Sequence, residues 1–136
     1  MIKSINHIGI AVTNLEEAIE TFRKIFQFTE VHREDVPDQK IKVASFKVGD
    51  MLIELTYSTS PDGPIGKFIE KNGGKGGLHH IAFESDNVGE ELKRIEAEGI
   101  ALVDKAPRQG AHEMMIAFMH PKSTAGVLME ICQPKN

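Results

Sequence analysis

Residues 76–84 read GGLHHIAFE, and this stretch decides how the rest of the chain is interpreted. It places two histidines directly after a glycine-rich turn, at the start of an apolar strand. Residues 6–12, which read NHIGIAV, repeat the pattern near the N-terminus, so that His7 aligns with His80. Alternation of apolar and small residues after each histidine is typical of a strand. The sequence therefore contains two copies of one unit, and each copy begins with a histidine on a predicted strand.

Each copy also ends with a glutamate inside an apolar strand. In the first copy residues 51–55 read MLIEL and contain Glu54, and in the second residues 127–131 read VLMEI and contain Glu130. An ionised carboxylate is costly to bury without a partner. We therefore expect both glutamates to be paired, protonated or bound to a metal ion.

The elements between the histidine and the glutamate follow the same order in both copies. Periodicity and turn residues predict strands in the first copy at residues 5–12, 28–35, 41–48 and 51–58, and a helix that ends near residue 27. In the second copy they predict strands at residues 78–84, 100–103, 114–119 and 127–132, and a helix that Asp86 caps and Gly99 ends. We predict one domain over residues 1–136, with modules at about 4–58 and 77–133 and a linker at about 59–76 that holds a short helix.

Composition excludes several classes of function. With 136 residues the chain is long enough for one core, and 16 basic against 20 acidic residues leave a net charge of −4. Because no basic cluster stands out, we do not expect a nucleic-acid partner. Cys132 is the only cysteine, which excludes an internal disulfide and suits a reducing compartment. With no long apolar segment or signal pattern, we expect a cytoplasmic protein without a membrane partner.

The two histidines and two glutamates suggest a metal site when they are considered together. A single strand histidine is usually a core or rim residue, and a single strand glutamate usually faces solvent. Small residues such as Gly9 and Ala82 share the histidine faces, however, and would leave an open surface. If the copies pack as related units, two imidazoles and two carboxylates converge. Such a set suits one divalent ion of Mn, Fe, Co, Ni or Zn.

Other polar residues favour simpler interpretations. His79 points away from the His80 face, which favours a core or interface position. Glu84 lies at the end of its strand and is expected to be solvated. Cys132 is expected to be a packing residue, because no base is marked beside it. His112 lies on a loop, at residues 109–112, that could close over a ligand.

The complete pattern resembles the vicinal oxygen chelate superfamily and, within it, the methylmalonyl-CoA epimerases. Besides the two modules, the resemblance includes GPIGKFI at residues 63–69, FMHPKS at 118–123, GVLME at 126–130 and GAH at 110–112. It implies an α+β fold of two tandem βαβββ modules that form a curved mixed sheet around a metal site. It also implies one divalent ion per chain and a homodimer. The implied ligands are His7, Glu54, His80 and Glu130.

Two positions depart from the pattern of the family. Glu54 stands where several members have glutamine, which gives the His/Glu/His/Glu set that metal-dependent glyoxalase I also has. Some epimerases place a catalytic glutamate on the third strand, and the aligned position in this sequence is Val43. No carboxylate lies within residues 41–48.

The resemblance implies epimerisation of (2R)- and (2S)-methylmalonyl-CoA, a CoA thioester, through a metal-stabilised enolate. Glu130 is expected to be one base, and Glu54 or a metal-bound water the other. Gly110, Ala111 and His112 are expected to cover the substrate. Two alternatives remain open at this point. One is a lactoylglutathione lyase of the glyoxalase I type, and the other is a non-catalytic small-molecule binding protein of the same superfamily.

Overall fold

The computed structural model describes residues 1–135, which form eight strands and three α-helices. The strands are β1 (Ile2–Val12), β2 (His32–Val36), β3 (Ile41–Val48), β4 (Met51–Ser58), β5 (Gly77–Ser85), β6 (Arg108–Gln109), β7 (Met114–Met119) and β8 (Leu128–Pro134). The helices are α1 (Leu15–Phe26), α2 (Pro64–Lys71) and α3 (Val88–Ala97). None of these helices is long and apolar enough to cross a bilayer.

Both longer helices begin at an asparagine cap. The Asn14 side chain accepts a hydrogen bond from the backbone N–H of Glu17, and Asn87 does the same for Glu90, each at 3.0 Å. These bonds satisfy backbone donors that the first helical turn leaves open. The cap of α3 is therefore Asn87 rather than the predicted Asp86. The Ser85 hydroxyl accepts from the N–H of Asn87 at 3.0 Å and helps to fix this turn.

Packing divides the chain into two compact units. Residues 8–79 form the first, which we call the central unit. Residues 1–7 together with the segment from His80 onward form the second, which we call the terminal unit. Strand β1 contributes to both, because it divides after His7. The packed units therefore differ from the sequence modules at about 4–58 and 77–133, since the first seven residues pack with the second module.

The central unit has antiparallel pairing of β2 with β3 and of β3 with β4. One face of these strands packs against α1. Its buried residues are Val12, Ile19, Ala44, Phe46 and Leu55. Side chains alternate along a strand, so Ser45 and Glu54, which are paired in register, lie on the other face.

The terminal unit has the strand order β5-β8-β7-β6. Strands β5 and β8 are parallel, whereas β8 with β7 and β7 with β6 are antiparallel. One face packs against α3 and buries a core of Val88, Leu92, Ile95, Ala117, Met119 and Ile131. Within this unit the sheet is mixed, as predicted. The order of elements along the chain confirms the α+β fold with two βαβββ modules.

Residues 100–103 do not form the predicted strand. Only Leu102 forms a bridge, to Met119, and the N–H groups of Val103 and Asp104 both donate to the carbonyl of Phe118. Two donors on one acceptor break the alternation that a regular ladder requires. The strand pairing with β7 resumes at Arg108, in the two-residue β6 that the sequence pattern did not predict.

The predicted strand at residues 28–35 starts later, at His32. Phe28 stacks on Phe46 with ring centroids 4.2 Å apart, and the guanidinium of Arg23 lies 5.2 Å from the Phe28 ring centre. The aromatic ring therefore holds residue 28 against the core outside the β-ladder.

Gly76 provides a test of backbone packing in the central unit. A Cβ there would lie 2.2 Å from the carbonyl oxygen of Ala11, whereas a Cβ at the next residue, Gly77, would lie 3.6 Å from the Asn72 amide nitrogen. We expect Gly76→Ala to lower the free energy of unfolding by about 1–3 kcal/mol or more, the usual cost of overpacking. Gly77→Ala is the matched control, and urea unfolding of both variants is the measurement. Equal stability of the two variants would contradict the close approach at Gly76.

Candidate metal centre

The face of the terminal unit opposite α3 carries the polar residues predicted from the sequence. In register, Ala82 on β5 and Phe118 on β7 both pair with Glu130 on β8. Because Ala117 and Ile131 point into the α3 core, their neighbours Phe118 and Glu130 point to the opposite face. His80 lies two residues before Ala82 and shares this face. The alternation of the strands thus places His80 and Glu130 on one surface.

His7, His80 and Glu130 meet on that face. The Nε2 atoms of the two histidines lie 3.0 Å apart. An Oε1 of Glu130 lies 3.4 Å from the His80 Nε2 and 3.7 Å from the His7 Nε2. The three side chains are 5%, 6% and 4% exposed, respectively for His7, His80 and Glu130. Two imidazoles, which can become positively charged, and one carboxylate, which can become negatively charged, are therefore held together away from water.

These distances fit one divalent ion. Two ligand atoms, each about 2.1 Å from the same ion and about 90° apart, are separated by about 3.0 Å. Separations of 3.4 and 3.7 Å are also short enough for all three atoms to contact one ion at bond lengths of about 2.1 Å. Two imidazoles and a carboxylate are also the donor types that Mn, Fe, Co, Ni and Zn accept. The residues present thus fit the metal that the sequence predicts.

The rings of the two histidines are fixed by further contacts within the terminal unit. The Nδ1 of His7 lies 2.8 Å from the Asn6 Oδ1. Because an amide oxygen only accepts, this contact favours a proton on the His7 Nδ1, which in the neutral ring places the lone pair on Nε2. His80 meets the ring of Phe118 edge-on, with centroids 5.8 Å apart. The guanidinium of Arg108 lies 5.4 Å from the centre of the same Phe118 ring.

Glu54 belongs to the central unit. It lies in the middle of β4, is 5% exposed and pairs in register with Ser45, which is 2% exposed. Val43 pairs with Thr56 on the same face and is 1% exposed. The predicted burial of this carboxylate is confirmed. Its role as a metal ligand and as a base stays a prediction.

The predicted substrate loop packs on the face of the terminal unit that carries Glu130. A Cβ at Gly110 would lie 2.8 Å from the nearest atom of the Ile116 side chain, and Ile116 shares the face of Phe118. The N–H of Gly110 donates to the carbonyl of Met114 at 2.9 Å. His112 and Glu113 both have left-handed backbone, with φ of 57° and 53°, which is strained for residues with a side chain. The loop thus holds a specific conformation against Ile116, on the sheet face that carries Glu130.

Two other histidine and cysteine predictions can be compared with the structure. His79 meets the ring of Phe68 edge-on, with centroids 5.0 Å apart, and burial lowers the pKa of His79 to about 4. It is therefore a neutral packing residue at physiological pH, as predicted. Cys132 is fully buried in an apolar cluster, which confirms its packing role. Its sulfur also lies within 4.8 Å of donor atoms of His7 and Glu130, which agrees with the position two residues after Glu130 on the same strand face.

Sequence reasoning missed the surroundings of His7. The sequence pattern assigns no role to Asn6 and predicts a solvated Glu84. In the structure the Asn6 amide nitrogen donates to Glu84 at 3.0 Å, and the Glu84 side chain is only 25% exposed. A signal was present in the repeat, because a polar residue precedes each aligned histidine.

The chain matches known proteins along nearly all of its length. The family model of the Glyoxalase/Bleomycin resistance protein/Dioxygenase superfamily matches residues 6–118. An uncharacterized protein of Bacillus subtilis, YqjC, is 40% identical over 96% of this chain and 92% of its own length. The mitochondrial methylmalonyl-CoA epimerase of Dictyostelium discoideum is 32% identical over 96% of this chain and 78% of its own length.

A solved structure shows the same fold. It is a variant of the methylmalonyl-CoA epimerase of Streptomyces coelicolor in complex with 2-nitronate-propionyl-CoA. It superimposes with a TM-score of 0.93 at 32% identity, and the match covers 98% of this chain and 96% of that chain. Fold and sequence similarity agree, and the chain belongs to the Glyoxalase/Bleomycin resistance protein/Dioxygenase superfamily.

Proposed function

We propose that this protein is an isomerase that epimerises C2 of methylmalonyl-CoA with the help of one divalent metal ion. The observation that carries the proposal is the buried convergence of His7, His80 and Glu130 at distances that one ion can span. Relatives that are named methylmalonyl-CoA epimerase and match nearly the whole of this chain support the choice of substrate. The proposal for the metal includes Glu54 as a fourth ligand. Its support is that Glu54 is buried within β4 and aligns in the repeat with Glu130 in β8.

The reaction requires the removal of one proton and its return to the opposite face. The C2 proton of the substrate lies between a thioester carbonyl and a carboxylate. A divalent ion held by these side chains supplies Lewis-acid stabilisation of the charge that develops on the substrate oxygens. The Glu130 carboxylate takes the C2 proton on one face and can return it there. A second group must deliver a proton on the other face to give the epimer.

Glu54 is our candidate for the second group. Strand β3 has no carboxylate, and Val43 occupies the position where some family members have an acid. The nearest preceding carboxylate is Asp38, in the exposed 3₁₀ turn Pro37–Gln39 that leads into β3. Glu54 is buried and Asp38 is exposed. Burial strengthens electrostatic interactions and excludes water, so Glu54 is the better placed of the two to exchange protons with a bound substrate.

The substrate is a CoA thioester, and we propose that Gly110, Ala111 and His112 cover it. The support is that this loop packs on Ile116, on the sheet face that carries Glu130. A solved relative holds 2-nitronate-propionyl-CoA. The homodimeric assembly and the cytoplasmic location stay predictions from the sequence.

Metal binding should stabilise the fold through His80. We expect Co²⁺ or Mn²⁺ at 100 times its dissociation constant to raise the free energy of unfolding by about 2.7 kcal/mol. His80→Ala should remove this gain, because it deletes one of two buried imidazole ligands. His120→Ala, at an exposed histidine, is the control and should retain it. Denaturant titrations with metal and with EDTA measure the effect, and a full metal gain in the His80 variant would refute this site.

Proton abstraction can be measured as deuterium entry at C2 of methylmalonyl-CoA in D₂O. We expect Glu130→Gln to lower the exchange rate by about 100-fold or more, the usual contribution of a general base, while Glu90→Gln on the exposed face of α3 retains it. Glu54→Gln should slow epimerisation and Asp38→Asn should leave it nearly unchanged. Normal exchange in the Glu130 variant would rule out its role as the base.

The same assay separates the alternatives. The metal-loaded protein could fail to exchange deuterium into methylmalonyl-CoA but convert a glutathione hemithioacetal. In that case the assignment as a lactoylglutathione lyase is correct. If it turns over neither compound, the non-catalytic binding protein is the better description.

The role of the loop can be tested through its contact with Ile116. Gly110→Ala adds a methyl group 2.8 Å from that side chain, which should displace the loop and raise the KM for methylmalonyl-CoA several-fold. Ile116→Ala removes the obstructing atoms, so the double variant Gly110→Ala/Ile116→Ala should recover a lower KM than the single Gly110 variant. Steady-state kinetics give the answer. An unchanged KM in the Gly110 variant would show that the loop does not contact the substrate.

A further inference from the structure

Asn6 connects a carboxylate to the first predicted metal ligand. Its amide nitrogen Nδ2 donates to the Glu84 Oε1 at 3.0 Å, and its amide oxygen Oδ1 lies 2.8 Å from the His7 Nδ1. On the far side of Glu84, the Lys3 Nζ lies 3.8 Å from the other carboxylate oxygen. Glu84 is separated from Asn6 by 78 residues along the chain, so the contact depends on the fold of the terminal unit.

The side chains of Glu84, Asn6 and His7 form a hydrogen-bonded row. The order of donors and acceptors in this row determines which nitrogen of His7 carries the proton. An ionised carboxylate can only accept hydrogen bonds, so Glu84 selects the orientation of Asn6 in which the NH₂ group faces it. The Asn6 oxygen is then the atom that faces His7, and it also can only accept. His7 therefore donates from Nδ1, and in the neutral ring the lone pair then lies on Nε2, which is 3.0 Å from the Nε2 of His80.

We propose that Asn6 and Glu84 are positioning residues that hold His7 as its Nδ1–H tautomer and so prepare Nε2 to bind the metal ion. The inference rests on the metal site of the proposed function but not on the identity of the substrate. Outer hydrogen bonds of this kind orient a ligating imidazole, and their loss typically lowers metal affinity 10–100-fold. Glu84 thus acts on the metal through two intermediate side chains.

The direct test is the tautomer of His7 in metal-free protein. Long-range ¹H–¹⁵N spectra at pH 8 distinguish a protonated Nδ1 from a protonated Nε2. We expect the Nδ1–H form in the wild-type protein and its loss in Asn6→Leu, which is similar in size but removes both hydrogen bonds. This readout needs neither metal nor substrate, so it remains valid if the proposed reaction is wrong. Retention of a fixed Nδ1–H form in the Asn6→Leu variant would overturn the inference.

Substitutions at Asn6 and Glu84 test the order of donors and acceptors in the row. Asn6→Asp keeps an acceptor for His7 but brings a second carboxylate oxygen against Glu84, so Co²⁺ affinity should fall by about 10-fold or more. Glu84→Gln alone should have a small effect, because an amide oxygen can still accept from Asn6. In the double variant Asn6→Asp/Glu84→Gln, the introduced amide can donate to the introduced carboxylate. We expect affinity to return to within about threefold of wild type.

The control separates positioning from a general loss of stability. Asn87→Ala removes the cap of α3, which costs about 1 kcal/mol without touching the row. Competition titrations with a chelator measure the Co²⁺ affinity of all variants, and circular dichroism checks that each is folded. Unchanged affinity in Asn87→Ala with rescue in the double variant supports the inference. A double variant as weak as Asn6→Asp, or a weakened Asn87→Ala, would overturn it.

Discussion

The burial of three polar side chains on one sheet face is the constraint on which the terminal unit depends. His7, His80 and Glu130 are each almost completely removed from water. Groups of this kind destabilise a fold unless each atom finds a partner. The strands meet this requirement by bringing the three side chains within 3.0–3.7 Å of one another. The α3 core on the opposite face provides the apolar burial that offsets the desolvation of these groups.

The sequence predicted this cluster because alternation along a strand is a local property. Residues two apart on a strand share a face, so His80 lies with Ala82 and Glu130 with Cys132, and the convergence of the two strands is predicted if the two copies pack as related units. The repeat likewise predicted the order of elements and the burial of Glu54. Local patterns could not predict that Asn6 would bond to Glu84, because that contact joins side chains on two strands far apart in sequence. The segment at residues 100–103 was mispredicted for a similar reason, since backbone bonds to Phe118 override its apolar pattern.

The two copies of the module differ in the residues around their glutamates. In the central unit, Glu54 lies beside Ser45 and close in sequence to Thr56, both of them small and buried. In the terminal unit, Glu130 pairs in register with Phe118, and the Arg108 guanidinium lies 5.4 Å from the centre of the Phe118 ring. An epimerase needs two groups that exchange protons on opposite faces of one carbon. Two glutamates in unlike surroundings are compatible with unlike roles in such a reaction.

The loop after β6 shows how local strain and packing together can serve such a site. Left-handed backbone at both His112 and Glu113 costs free energy that only surrounding contacts can offset. Two such contacts are present, the Gly110 hydrogen bond to Met114 and the backbone N–H of Lys135 that donates to the Glu113 carbonyl at 3.1 Å. The absence of a side chain at Gly110 allows the loop to approach Ile116 on the sheet face that carries Glu130. A strained turn that is anchored at both ends keeps one shape, and one shape is what a substrate cover requires if it is to exclude water without an ordering cost on binding.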